Sequence, residues 1–164
     1  MLLNFKTKVV IKMEKAVKGM ENLKTTVETK NISLALANKM IEAALVKGEE
    51  LGMPFSITIV DKPGNLKAFA AMDGALPLSL EVAQNKAFSA AAYNRATHEW
   101  YDRLKDDPPL LHGIVHTERL VIFGGGYPIK INGELIGGIG VSGGHYTHDM
   151  QVCEAALAVL ESFE

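Results

Sequence analysis

Asn132-Gly133, with apolar residues on either side, constrains the fold of this chain more than any other feature. Asn-Gly takes the two positive backbone angles of a tight hairpin turn, so Pro128 to Ile131 and Leu135 to Val141 are predicted to return on each other as antiparallel strands. A second turn lies at Lys62-Pro63-Gly64-Asn65. Proline pre-sets φ at its first central position and glycine supplies the positive φ of a type II turn at its second. Before it, Phe55, Ile57 and Ile59 alternate with Ser56 and Thr58, and Leu66 to Met72 reads as the returning strand. Leu120 to Phe123 reads as one more strand. Hairpins make neighbours antiparallel, whereas a parallel sheet needs a long crossover between strands. The expected fold is therefore α/β of the α+β type, with an antiparallel sheet of about five strands and helices packed on it.

Helical periodicity supplies the rest. Ser33 is a plausible N-cap for the stripe Leu34, Ala37, Ile41, Ala44 and Leu45, which stops at Gly52 and Pro54, so a helix is expected over 33–51. Ser79 is expected to cap an alanine-rich helix through Val82, Ala83, Ala87, Ala90 and Ala91, able to approach a neighbouring element closely. A short helix is expected over 97–105, ended by Asp106-Asp107-Pro108-Pro109, with 110–118 irregular or briefly helical. Thr147 is expected to open a last helix running to Ser162, with Met150, Cys153, Leu157 and Leu160 on one face.

Residues 1–30 differ from the remainder, with seven lysines and three glutamates. Val10, Met13, Val17 and Met20, then Leu23 and Val27, recur at helical spacing. The segment reads either as an amphipathic helix for a partner subunit or as a mobile leader. The expected division is an N-terminal extension over 1–30 and one domain over 31–164.

With 164 residues, 48% of them apolar, the chain suits one domain with a real core. A formal charge of −2 leaves no broad basic footprint for nucleic acid and no reason for binding an anionic membrane. The apolar runs fall far short of the ~18 residues of a membrane span. The single cysteine, Cys153, excludes a disulfide framework within the chain and fits a reducing compartment. No apolar signal core follows a basic start, so the expected location is cytoplasmic.

Several segments carry groups capable of chemistry. Gly124-Gly125-Gly126-Tyr127-Pro128 exposes backbone amides and reads as a structural turn or a ligand loop. It lacks the Gly-Lys-Ser/Thr of a phosphate loop, and a strand follows where a dinucleotide fingerprint needs a helix. Gly140-Val141-Ser142-Gly143-Gly144 has the spacing of a nucleophile elbow without its strand-to-helix context. It reads better as a loop whose amides and Ser142 hydroxyl face a ligand near the start of the last helix. His145-Tyr146-Thr147-His148-Asp149 offers two imidazoles and a carboxylate for a metal, a haem iron or proton transfer. Its structural alternative makes Thr147 a cap and Asp149 a first-turn acid. His112 and His116 are four apart but lack the glutamate of a zinc-protease motif, because position 113 is glycine. Lys86 lies among alanines, so it is either exposed beside Gln84 and Asn85 or buried with a lowered pKa suited to a base or an imine. Arg95, after Tyr93, can hold a ligand carboxylate or pair with Glu99.

Met72-Asp73-Gly74-Ala75, Lys86-Ala87 with Ala90, Gly124-Gly125-Gly126-x-Pro128, Asn132-Gly133-Glu134-x-x-Gly137-x-Ile139-Gly140-Val141-Ser142-Gly143 and Asp149 together resemble the GlcG/HbpS-like family and the C-terminal part of the PduO corrinoid proteins. The resemblance covers roughly residues 33–163. It implies a layered domain with an antiparallel sheet, assembly into homo-oligomers, often octamers, and binding of haem or a related tetrapyrrole in some members. Other relatives are described as lyases of hydroxylamino-aromatic acids. Relatives usually carry small or acidic residues before the aspartate, where this chain has His145, Tyr146 and His148.

Three readings follow. The first is a haem- or tetrapyrrole-binding protein with His145 or His148 on the iron, and with Met72, Gly124, Gly125, Gly126, Pro128, Ser142 and Gly143 around the ligand. The second is a lyase or isomerase of an aromatic or organic acid, such as a hydroxylaminobenzoate. It would use His145, Tyr146, His148, Lys86 and Asp73 for proton transfer and orientation, and Arg95 for the carboxylate. The third is a non-catalytic assembly subunit.

Overall fold

The computed structural model describes residues 5–18 and 23–163. Its elements run α1 (Phe5–Lys18), α2 (Leu34–Leu51), β1 (Ser56–Asp61), β2 (Leu66–Ala71), α3 (Pro77–Tyr93), α4 (Glu99–Leu104), α5 (Pro108–Ile114), β3 (Gly126–Ile131), β4 (Glu134–Ser142) and α6 (Tyr146–Leu157), followed by a 3₁₀ turn over Ala158–Phe163. Both predicted hairpins are present. Gly64 takes φ 92°, while Asn132 and Gly133 take φ 50° and 76°, as a two-residue turn with two left-handed positions requires.

The strands form one sheet in the order β2-β1-β4-β3, with every neighbouring pair antiparallel. The fold class is as expected, but the sheet has four strands rather than about five. Leu120–Phe123 is not a strand: Leu120 N donates to Thr117 O at 3.1 Å in a turn, Val121 N donates to Ser89 Oγ of α3 at 2.8 Å, and that hydroxyl donates to Arg119 O at 2.9 Å.

Helices cover both faces. On one, α2 and α6 pack on Phe55, Ile57, Ile59, Ile139 and Val141, using Met40, Ile41, Ala44, Val152, Cys153 and Ala156. On the other, α3 lies across β4, β1 and β3. The alternate residues of β4 on that face are Gly138 and Gly140, paired across the sheet with Pro128 and Gly126. A Cβ on Gly138 would strike Ala87 O, and one on Gly140 would strike Ala83 O and Ala87 N. Bare strand backbone and a helix with alanine at 83, 87 and 91 therefore meet at close range, as the alanine-rich sequence of α3 leads one to expect.

Caps follow the expected chemistry at some ends only. Ser33 Oγ accepts from Leu36 N at 3.2 Å, and Gly52 closes α2 at φ 65°. Ser33→Ala is expected to cost about 1 kcal/mol, read as a lower urea midpoint at unchanged slope. Ser79 is not a cap. The helix starts at Pro77, whose missing N–H removes one donor that would need a partner, while the buried Ser79 Oγ meets Ser56 Oγ at 2.8 Å. Thr147 is not a cap either, because the His145 ring takes that position on α6. The last helix gives way to 3₁₀ geometry at Ala158, and the region 110–118 is partly the short α5, capped by Asp107 Oδ1 on Leu110 N at 3.2 Å. The α1 helix ends at Lys18. Met20 lies outside the described residues, and Leu23 and Val27 are on a non-helical segment. No helix among the described residues is long and apolar enough to cross a membrane.

Candidate functional site

Three loops and two helices converge on one buried ion pair. Lys86 is 0% exposed. Its Nζ donates to Asp149 Oδ2 at 2.6 Å and to Val141 O at 3.0 Å. The other carboxylate oxygen, Asp149 Oδ1, accepts from Gly143 N at 3.0 Å and Gly144 N at 3.3 Å. The first turn of α6 thus holds the end of β4 through its own acid. Over the pair lies the three-glycine loop. Gly125 has φ 103°, and a Cβ there would sit 2.7 Å from Lys86 Nζ and 2.7 Å from Asp149 Cβ. Gly126 N donates to Thr97 Oγ1 at 2.9 Å, and Cys153 Sγ donates to Gly125 O at 3.3 Å. Glycine at 125 is therefore required twice, by the backbone angle and by the cation beneath it.

The electrostatics follow from burial. Desolvation pulls the Lys86 ammonium below its ordinary pKa, and the Asp149 carboxylate opposes that pull. Burial pushes the Cys153 thiol up, so it serves as a neutral donor rather than a nucleophile. The ring of Phe123 stands 4.9 Å from Lys86 Nζ.

Phe123 also lines a cleft of ≈ 630 Å³, together with His98, Tyr101 and Asp102 at α4, Ile122 and Gly124 of the loop, and Tyr146, Thr147 and Met150 of α6. Tyr146 and Met150 are four residues apart and share a helix face. A Cβ on Gly124 would lie 2.5 Å from Met150 Sδ and 2.9 Å from Tyr146 Cδ2, so the loop and α6 touch there. The Nδ1 atom of His98 is buried with no partner among the described residues, and its ring centroid is 5.4 Å from that of Tyr127. His98 thus brings an imidazole to the wall of an otherwise largely apolar cleft.

The residues expected from the sequence divide into two groups. Lys86, Gly125 and Gly143 meet at the ion pair, and Gly124 and Tyr146 line the cleft. His145 is exposed, with Nδ1 2.9 Å from Thr147 Oγ1 and its ring 4.3 Å from Tyr146. His148 Nδ1 is buried without a partner 3.6 Å from where a Gly144 Cβ would stand, with Met53 Sδ 3.7 Å from the same point. Neither histidine lines the cleft. Met72 Sδ accepts from Phe55 N at 3.4 Å and packs on Gly48; Asp73 is exposed after β2. Arg95 donates to Glu99 at 3.0 Å, Pro128 pairs with Gly138 in the sheet, and Ser142 pairs with Ser56. His112 and His116 are exposed, and no group of three metal-type side chains occurs among the described residues.

Sequence reasoning missed His98, Tyr101, Phe123 and the cleft role of Met150, which it placed on the core face of the last helix. The available signal was adjacency: Phe123 immediately precedes the glycines, and Met150 follows Tyr146 by one helical turn.

A family model described as haem degrading protein HbpS-like matches residues 32–158. An uncharacterized 15.0 kDa protein in the dhaT-dhaS intergenic region of Citrobacter freundii is 39% identical over 128 residues, 77% of this chain and 89% of that protein. The corrinoid adenosyltransferase PduO of Citrobacter freundii is 36% identical over 131 residues; the match takes in 79% of this chain but only 39% of PduO. The crystal structure of a PduOC:Heme complex has a TM-score of 0.72 and 36% identity, over 78% of this chain and 94% of that one.

Proposed function

The chain belongs to the HbpS-like family, and from that premise we propose that it binds haem or a closely related tetrapyrrole in the cleft between α4, the Ile122–Gly124 loop and the start of α6. The observation that carries this reading is the imidazole of His98 in the wall of a cleft built from Tyr101, Ile122, Phe123, Tyr146 and Met150. A flat macrocycle needs a largely apolar slot of a few hundred Å³, and an imidazole is one of the protein donors that can hold an iron within it. In this reading His98 would hold the iron, and the aromatic and thioether side chains would hold the ring. Lys105 donates to Asp102 Oδ1 of the cleft wall at 3.1 Å and would offer a cation to a propionate. Haem bound there would supply iron redox and small-molecule-binding chemistry. The similarity to a PduOC:Heme complex supports the ligand class.

His145 and His148 are not given the ligand role in this reading, because neither lines the cleft. The lyase reading gains nothing from Lys86, whose ammonium is enclosed by Asp149, Val141 O and Gly125.

Titration of the full chain with hemin, followed by absorbance, tests the assignment. The expected result is a saturable one-to-one Soret shift that His98→Ala weakens by about tenfold or more and that His145→Ala/His148→Ala leaves in place. No saturable shift in the unaltered chain would overturn the ligand class. A shift lost in the double variant and kept in His98→Ala would move the ligand to the histidine loop.

A further inference from the structure

Two apolar surfaces of this chain lie apart, each without a partner among the described residues. The first is the outer part of the sheet on the α3 side. The α3 helix packs on β4, β1 and β3, while β2 is the free edge. Phe69 pairs with Thr58 and Leu66 with Val60, so both share the face that α3 covers further in, and both are exposed. The contact between Ser56 and Ser79 and the pairing of Ser56 with Ala71 set the start of α3 at the far end of β2. There Leu76 and Leu78 are 66% and 71% exposed. The surface therefore runs from Leu66 through Phe69 to Leu78, about 20 Å along six strand residues.

The second surface is α1. Val10, Met13 and Val17 form one stripe, and Met13 and Val17 are each 64% exposed. Its 14 residues span about 21 Å, which matches the strand face. A helix of this length is marginal in water unless its apolar stripe is covered. Charge complements the fit. The α1 sequence holds Lys6, Lys8, Lys12, Lys15 and Lys18 against Glu14 alone, whereas the Leu78 end of the sheet surface carries the exposed acids Asp73 and Glu81. Glu81 follows Leu78 by three residues and so shares its side of α3.

The chain enters the domain beside this surface. Asn31 Oδ1 accepts from Lys62 N at 3.0 Å in the β1–β2 turn, and Ile32 N donates to Ile136 O at 2.9 Å. Residues 19–31 span at most about 45 Å when extended, more than twice the length of the face. An arm of that reach is long enough to cross to a neighbouring copy, and a reciprocal exchange would cover both surfaces in both chains through one closed two-fold contact.

We propose that residues 5–18 are an exchanged arm: the Val10-Met13-Val17 stripe of α1 docks on the Leu66-Phe69-Leu78 surface of a second copy, and the second copy's arm returns the contact. The site is separate from the cleft and does not depend on haem. Disulfide trapping in the full chain tests it, with Met13→Cys and Phe69→Cys combined. Both positions are exposed, so folding is not at stake, and the native Cys153 is fully buried and silent. Mild oxidation is expected to give a covalent dimer on a non-reducing gel from the double variant and from neither single variant. A bond within one chain, seen as loss of thiols at monomer mass, would overturn exchange between copies. So would the absence of any bond, or a dimer formed equally by Met13→Cys alone, which would place α1 against α1.

Discussion

Lys86→Met lowers the stability of the folded domain by about 3–5 kcal/mol, the usual cost of removing one partner from a buried ion pair. The reason is the Asp149 carboxylate. It is 1% exposed and keeps only the Gly143 and Gly144 amides once the ammonium 2.6 Å away is gone. A thioether fills the volume of the lysine stem but leaves that charge uncompensated and deprives Val141 O of its donor. For a chain of 164 residues the loss corresponds to a fall of about 10 °C in Tm. Asp149→Asn is expected to cost a similar amount for the mirror reason. Asparagine can still accept from the two glycine amides, but its amide group faces a buried ammonium. The double variant Lys86→Met/Asp149→Asn removes both charges, so its cost falls short of the sum of the singles by about 1–3 kcal/mol. Urea unfolding of the four proteins measures all of this. A loss under about 1 kcal/mol in Lys86→Met would mean that the pair does not bind α3, β4 and α6 together.

Gly140→Ala should be at least as damaging, by a mechanism with no charge in it. The added methyl would land on Ala83 O and Ala87 N, with Lys86 Cβ 3.0 Å away. Two of those atoms are helix backbone, which cannot turn aside as a flexible side chain can. Either α3 lifts off the sheet or β4 buckles, and both shifts disturb the geometry that sets Lys86 against Asp149. Overpacking in a rigid core usually costs 1–3 kcal/mol, and a backbone clash belongs at or above the top of that range, about 3 kcal/mol. Gly113→Ala is the control. It adds the same methyl in α5, where nothing lies within 4 Å, and should change stability by no more than about 1 kcal/mol. Equal behaviour of the two variants in thermal unfolding would show that α3 does not need the bare strand.

Much of the architecture was legible because it is local. Asn132-Gly133 and Pro63-Gly64 encode their turns in two adjacent residues, and alternation at 55–59 and helical spacing at 34–45 announce which face is buried. Alanine at 83, 87 and 91 foreshadowed a close approach by that helix, while its partner, the bare strand at Gly138 and Gly140, came from the fold. The errors came where a distant group captured the backbone. Leu120–Phe123 has strand composition, yet Ser89 accepts the Val121 amide, and Ser79 looks like a cap, yet the helix already starts at Pro77 and the Ser79 hydroxyl donates to Leu76 O at 2.6 Å and meets Ser56.

The site was half visible for the same reason. Lys86, the glycines at 124–126 and the loop at 142–149 were all singled out, but residues 86 and 149 are 63 positions apart and no periodicity links them. Whether Lys86 faced water or the interior stayed open until its neighbours were placed. His98 carried no local signal at all, since it matters only because the Phe123 loop and the Tyr146 turn close around it. By itself, then, the sequence determined the turns, most of the helices and the antiparallel pairing within each hairpin, because hydrogen bonding and hydrophobic spacing between near neighbours decide those. Only the tertiary structure decided which charge is buried against which and where the cleft opens, because both depend on desolvation by segments that the chain brings together from far apart.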